Sequence, residues 1–120
     1  MSHNRESNGY FAHERLAAYQ LALEALRFIA QRKHQLHGLP GGLGGQLERG
    51  VVGAFSNLCA GAAARGAEGR RHFRISLSEA GEGGGCAEGA FTLDAFTESE
   101  YDELRSVLLR LCACLYGLAY

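Results

Sequence analysis

The sequence predicts an all-α protein, an antiparallel up-down four-helix bundle built as a single domain. Three observations carry the prediction. Apolar residues recur at intervals of three and four along four separate segments, no segment of strand length alternates apolar with polar residues, and glycine-containing turns divide the first three segments. A chain of 120 residues has room for one domain, and 47% apolar with 21% charged residues is the composition of an ordinary soluble protein. Residues 1–9 read as a flexible N-terminus and residues 10–120 as the bundle.

The first helix is marked by Leu16, Tyr19, Leu23, Leu26 and Ala30, with Ala12 and Leu36 on nearly the same face. It is rich in strong helix formers and should run as one long helix to His37 and Gly38, with Pro40 as a stop signal. Gly38 to Gly45 (GLPGGLGG) holds five glycines and the only proline, and reads as a loop. Leu47, Val51, Ala54, Phe55, Leu58 and Ala62 form the stripe of the second helix, which ends around Arg65 and Gly66.

The third stripe, Phe73, Leu77, Ala80, Gly84, Ala87 and Phe91, sets pattern against propensity. Five glycines lie in the segment SEAGEGGGCAEGA, each about 1 kcal/mol less favourable in a helix than alanine. The period predicts a helix; the composition predicts a break near Gly83 to Gly85. The fourth stripe is Tyr101, Leu104, Leu108, Leu111, Leu115 and Leu118. Thr97 to Glu100 is a capping box at its start, Glu98, Glu100, Asp102 and Glu103 suit the positive end of the helix dipole, and the helix should run almost to Tyr120.

Glycine is the compositional outlier, 17 residues of 120, about twice the average share of roughly 7%. Gly9, Gly38, Gly41, Gly42, Gly44, Gly45, Gly66 and Gly69 fall in predicted loops and turns, and the other nine in predicted helices. The glycines of the third helix either admit a neighbouring helix or subunit closely or mark a place of fraying.

The net charge of −1 hides a division: residues 1–74 carry ten Lys/Arg against five Asp/Glu, and residues 75–120 two against eight. A polyanion-binding surface should therefore come from the first part. No apolar N-terminal stretch and no run of 18 apolar residues is present, so neither a signal peptide nor a membrane span is expected and the chain reads as cytoplasmic. Cys59, Cys86, Cys112 and Cys114 lack C-x-x-C spacing and read as small buried hydrophobes in a reducing compartment. His34 and His37 read as solvated residues at a helix end, and Cys112 and Cys114 would project about 200° apart on a helix, so no metal is expected. Ser56, Ser76 and Ser78 lie within helices without a base, and no nucleophile elbow, phosphate-binding loop or metalloprotease motif occurs. Neither an enzyme nor a cofactor is expected.

Two groups remain as candidates. Arg65, Arg70, Arg71 and Arg74, with His72 among them and Glu68 alone opposing, sit where the second helix turns into the third. They would form a patch for phosphates or an acidic partner, or simply a solvated helix start. Asn57 and Glu82 stand among apolar and small residues, so on inward faces they would need partners, and a network of Asn57, Arg74 and Glu82 between helices would supply them.

The segments His13-Glu14-Arg15-Leu16-Ala17-Ala18-Tyr19-Gln20-Leu21-Ala22, Gln46-Leu47-Glu48-Arg49, Ser56-Asn57-Leu58-Cys59-Ala60-Gly61 and Phe73-Arg74-Ile75-Ser76-Leu77, followed by Tyr101 and the leucine-rich last helix, resemble a family of small four-helix-bundle proteins. It is the family of proteins encoded in intervening sequences of bacterial 23S ribosomal RNA genes, and the accessory variability determinant of diversity-generating retroelements is a relative. The resemblance spans roughly residues 11–120. It departs at Ala60, where the family has Glu, at Phe55, where it has proline, and in the glycine-rich third helix. It implies ring-like homopentamers and, from the basic retroelement relative, binding to nucleic acid and to a reverse transcriptase.

The function expected is that of a non-enzymatic, homo-oligomeric accessory or scaffold protein. It would bind RNA, DNA or a nucleoprotein such as a reverse transcriptase complex through Arg65, Arg70, Arg71 and Arg74. The alternative is a protein adaptor whose acidic region, Glu79 to Glu103, docks a basic partner.

Overall fold

The computed structural model describes residues 9–120, and the stripes appear in it as five α-helices. These are α1 (Ala17–Gln31), α2 (Lys33–Leu36), α3 (Leu43–Ala64), α4 (Gly66–Thr92) and α5 (Glu98–Ala119), with single 3-10 turns at Ala12–Arg15 and Pro40–Gly42. No strand occurs among the described residues. The expected flexible N-terminus lies, apart from Gly9, outside the described residues.

The first predicted helix is divided, contrary to the expectation of one long element, and its buried face is Ala18, Leu21, Ala22, Ala25, Phe28 and Ile29 rather than the expected stripe, of which Leu16, Tyr19, Leu23 and Leu26 are half-buried and Ala30 is exposed. Leu16 is extended (φ −88°, ψ 132°) and Arg32 leaves the helical region (φ −126°, ψ 23°). Before Leu16, Glu14 accepts a hydrogen bond from the Phe11 amide at 3.0 Å and starts a turn of its own. At Arg32 the guanidinium reaches Glu100 at 3.2 Å and the Phe28 carbonyl at 3.3 Å, and lies over the Phe28 ring at 3.9 Å. Tertiary contacts thus outweigh the helix propensity of the surrounding residues.

The glycine loop is shorter than its sequence suggested. Gly38, Gly41 and Gly42 take positive φ, and α3 begins at Leu43, so Gly44 and Gly45 are helical. Gly44 is buried against the backbone of Leu36, where a methyl group would overlap the Leu36 carbonyl. Gly69 also lies inside a helix rather than in a turn.

Helix α4 runs unbroken through Gly83 to Gly85. Its period prevails over its composition because Phe73, Ser76, Ala80, Gly83, Ala87 and Ala90 form a continuous buried face, and tertiary packing carries most helical stability in proteins. At its start α5 has the expected capping box: Thr97 Oγ1 accepts from the Glu100 amide at 3.1 Å, and Glu100 accepts from the Thr97 amide at 2.9 Å. The Thr97 amide, with Gln35 and Arg32, holds the Glu100 carboxyl below the usual carboxylate range.

The contacts between α3 and α4 and between α4 and α5 pair residues in opposite order along the two helices. Between α3 and α4, Gly61 faces Gly69, Ala54 faces Ser76 and Gly50 faces Gly83. Between α4 and α5, the Phe91 and Tyr101 rings stack at 4.7 Å and Gly83 faces Leu108. α1 meets α5 through Glu24–Arg110, Phe28 packs on Phe96 of the α4–α5 connection, and α1 meets α3 through Tyr19–Phe55. The centre is filled by Leu47, Leu58, Leu104, Leu111 and Leu115, all fully buried. Ser76 is the one buried polar side chain among the described residues, and its hydroxyl donates to the Ala54 carbonyl at 2.6 Å.

Candidate nucleic-acid interface

The turn between α3 and α4 is a single residue, Arg65, and the chain reverses there in an unusual way. Arg65 has φ 63° and ψ 168°, a region that only glycine enters without strain, and Gly66 follows at φ 58°. The turn is closed by two hydrogen bonds, the Arg65 amide to the Gly61 carbonyl at 3.1 Å and the Gly69 amide to the Arg65 carbonyl at 2.8 Å. Gly61 and Gly69 make so sharp a return feasible, because a methyl on Gly69 would lie 2.7 Å from the Gly61 carbonyl oxygen.

Arg65, Arg70, Arg71 and Arg74 are all exposed at this end of the molecule. Arg71 is held by Glu68, with hydrogen bonds of 3.0 and 3.3 Å, which lowers the Glu68 carboxyl below its ordinary range. The side chains of Arg65, Arg70 and Arg74 make no hydrogen bond or ion pair among the described residues. Nine residues of helical rise separate Arg65 from Arg74, roughly 14 Å, a length that about four phosphates of one strand would span.

The structure does not bring Asn57, Arg74 and Glu82 together. Asn57 is half-buried, its Nδ2 donates to the Gly53 carbonyl at 3.0 Å, and its Oδ1 therefore accepts from His72 Nδ1 at 3.1 Å. The other ring nitrogen of His72 faces Arg71 at 3.5 Å and Glu68 at 3.9 Å. The chain Asn57–His72–Glu68–Arg71 ties α3 to the first turns of α4 beneath the arginines. Arg74 points to solvent, and Glu82 is exposed rather than inward.

The reason is the geometry of the hairpin. With the reversal at Arg65, a residue n positions before it lies opposite one about n positions after it. Asn57, eight before, meets His72, seven after, whereas Glu82 lies seventeen after and falls near Arg49. His72 and Glu68 were visible in the sequence as members of the cluster. Only the position of the reversal makes them the partners of Asn57.

Further along α4, Glu79, Glu82 and Cys86 line a groove of ≈ 570 Å³ with Gln46 and Arg49 of α3. The Glu79 carboxyl lies over the bare backbone of Gly53. Burial pushes it above the usual carboxylate range, and the hydrogen bond and negative charge of Glu82 push it further. The Cys86 thiol is also raised, by burial first and Glu82 second. A thiol so disposed stays protonated and is a poor nucleophile. All four cysteines are unbonded and half-buried, and His34 and His37 are exposed. Among the described residues no helix is long and apolar enough to cross a membrane.

In comparison with known proteins, the chain matches no protein-family model and none of the curated proteins.

Proposed function

We propose that this chain is a non-enzymatic accessory or scaffold protein that binds RNA, DNA or a nucleoprotein through the arginines at the α3–α4 turn. One observation carries the reading: Arg65, Arg70 and Arg74 are exposed together with no acidic partner among the described residues. Unpaired guanidinium groups on one end of a rigid hairpin are suited to phosphates, which they bind in a bidentate manner. The strained conformation of Arg65 adds support, because such backbone clusters at functional sites.

Within the same reading the four long helices form an antiparallel up-down four-helix bundle, as the opposed directions of each neighbouring pair suggest. The chain self-associates, with a pentamer as the leading stoichiometry. That number, and a reverse transcriptase as protein partner, rest on the resemblance to the intervening-sequence and retroelement family.

A mobility-shift titration with single-stranded and duplex RNA and DNA tests the binding. The protein should bind at ~50 mM salt and lose affinity steeply as salt is raised, with a slope of about 0.9 per phosphate neutralised. Arg70→Ala combined with Arg74→Ala should lower that slope by about 2 and weaken binding to all sequences alike. No association at ~50 mM salt would overturn the proposal. Capture of a basic protein that Glu79→Gln/Glu82→Gln abolishes would instead favour the adaptor reading, for which the Glu79–Glu82 pair is the specific observation.

A further inference from the structure

A groove of ≈ 240 Å³ runs along the outside of the molecule between α4 and α5. Gly81, Gly84 and Glu88 border it on α4, and Arg105, Leu109 and Cys112 on α5. Both borders continue past the groove toward the α3–α4 turn. Arg74 and Arg70 stand seven and eleven residues before Gly81, about two and three turns, and so share its face of α4 to within about 20°. On α5, Tyr116 stands eleven residues after Arg105 and Tyr120 eleven after Leu109, which aligns them in the same way.

The pairing of the helices brings these two borders to one level. Gly83 faces Leu108 and the Phe91 ring stacks on Tyr101, so each step back along α4 is matched by one step forward along α5. Carried eight residues on from Gly83 and Leu108, this order sets Tyr116 level with Ile75, the neighbour of Arg74. Twelve residues on, it sets Tyr120 level with Arg71, the neighbour of Arg70. The two tyrosines are 61% and 72% exposed, and their ring centroids lie 5.0 Å apart. Their hydroxyls make no hydrogen bond among the described residues. No Asp or Glu occurs in residues 69–78 or 104–120, so no acidic side chain on either border opposes the arginines.

We propose that the nucleic acid bound at the α3–α4 turn is single-stranded, with its phosphates on Arg70 and Arg74 and its unpaired bases stacked on Tyr116 and Tyr120, an assignment that rests on the phosphate site proposed above. Guanidinium groups one turn apart run beside flat rings one turn apart. A single strand carries the complement, one anion and one flat ring at every step. Stacking of a base on tyrosine is tolerant of sequence, because every base has a π-face. A duplex keeps its bases stacked on one another inside the helix, so it offers phosphates to the arginines and nothing to the tyrosines. An acidic peptide satisfies the arginines and brings no ring at each step.

Fluorescence anisotropy with three labelled probes of about twelve nucleotides tests the proposal: a DNA single strand of mixed sequence, the same strand without bases, and the blunt duplex. At ~100 mM salt the wild type should bind the strand with bases at least about tenfold more tightly than the abasic strand, and more tightly than the duplex. Tyr116→Ala/Tyr120→Ala should lose at least about tenfold on the strand with bases while keeping its affinity for the abasic strand and its salt slope. Arg70→Ala/Arg74→Ala should weaken binding to all three probes. Tyr116→Phe/Tyr120→Phe keeps the rings and should bind within about twofold of the wild type. A wild type that binds none of the probes at ~50 mM salt overturns the phosphate site and the stacking together. Equal affinity for the strands with and without bases, tighter binding of the duplex, or a phenylalanine pair as weak as the alanine pair overturns the stacking alone. So does an alanine pair whose mass by light scattering falls below that of the wild type, which assigns the tyrosines to contact between copies.

Discussion

Two glycine-to-alanine substitutions in the same helix should have opposite signs. At Gly69 a methyl group would stand 2.7 Å from the Gly61 carbonyl oxygen, well inside van der Waals contact, and that oxygen belongs to the backbone of α3 and cannot rotate away. The two helices must separate by several tenths of an ångström beside the turn at Arg65. Overpacking of this kind costs about 1–3 kcal/mol, against which alanine returns about 0.5–1 kcal/mol of backbone entropy and helix propensity. The net expectation for Gly69→Ala is a loss of roughly 1–2 kcal/mol. At Gly85, in the exposed middle of α4, nothing lies within 4 Å, and the same change should add about 0.5–1 kcal/mol. The variants should differ by roughly 2 kcal/mol, or about 6–12 °C in melting temperature for a domain of this size. Urea unfolding of dilute protein followed by circular dichroism measures the difference directly. A Gly69→Ala variant as stable as Gly85→Ala would refute the claim that close approach, and not chance composition, accounts for the glycines of the α3–α4 hairpin.

Two further outcomes are expected. Arg65→Gly removes a side chain from a backbone conformation that glycine alone tolerates, so the fold should gain about 1 kcal/mol while nucleic-acid affinity falls; a loss of stability in the same urea assay would show that Arg65 is not strained. Glu79 has its carboxyl raised by burial and by Glu82, so its stabilising contribution is complete below the unfolded value near 4.5 and is lost as pH rises through the folded value. Glu79→Gln should therefore be more stable than the wild type at pH 7, with the advantage vanishing near pH 4. An equal difference at both pH values, measured by thermal melting, would count against that assignment.

That these segments are helical was legible in the sequence because periodicity is a local property, set by 3.6 residues per turn and the need of each helix to bury one face, but in α1, where apolar residues occur almost all round, the periodicity did not single out the face that is buried. The capping box at Thr97 is local in the same sense, since all its donors and acceptors lie within four residues. The arginine cluster was legible as a cluster. Its separation into a paired Arg71 and unpaired Arg65, Arg70 and Arg74 was not, because the short reach of Glu68 depends on the side-chain positions at the start of α4.

What the sequence determined by itself was the class, all-α, and most of the buried face of α3 and of α5, whereas in α1 the buried face is Ala18, Leu21, Ala22, Ala25, Phe28 and Ile29 and in α4 it passes through Ser76 and Gly83 rather than Leu77 and Gly84. The tertiary structure decided which stripe meets which, and with that the outcome at every site where two local rules disagreed. Propensity argued for a continuous first helix and a broken α4, and both were reversed. Arg32 gains Glu100 and the Phe28 ring by leaving the helix, and the glycines of α4 are carried by the packing of the face around them. Asn57 found His72 and not Glu82 for the same reason. A partner across a hairpin is chosen by where the chain reverses, and the single residue that sets this, Arg65, stands in a conformation that its own chemistry does not favour.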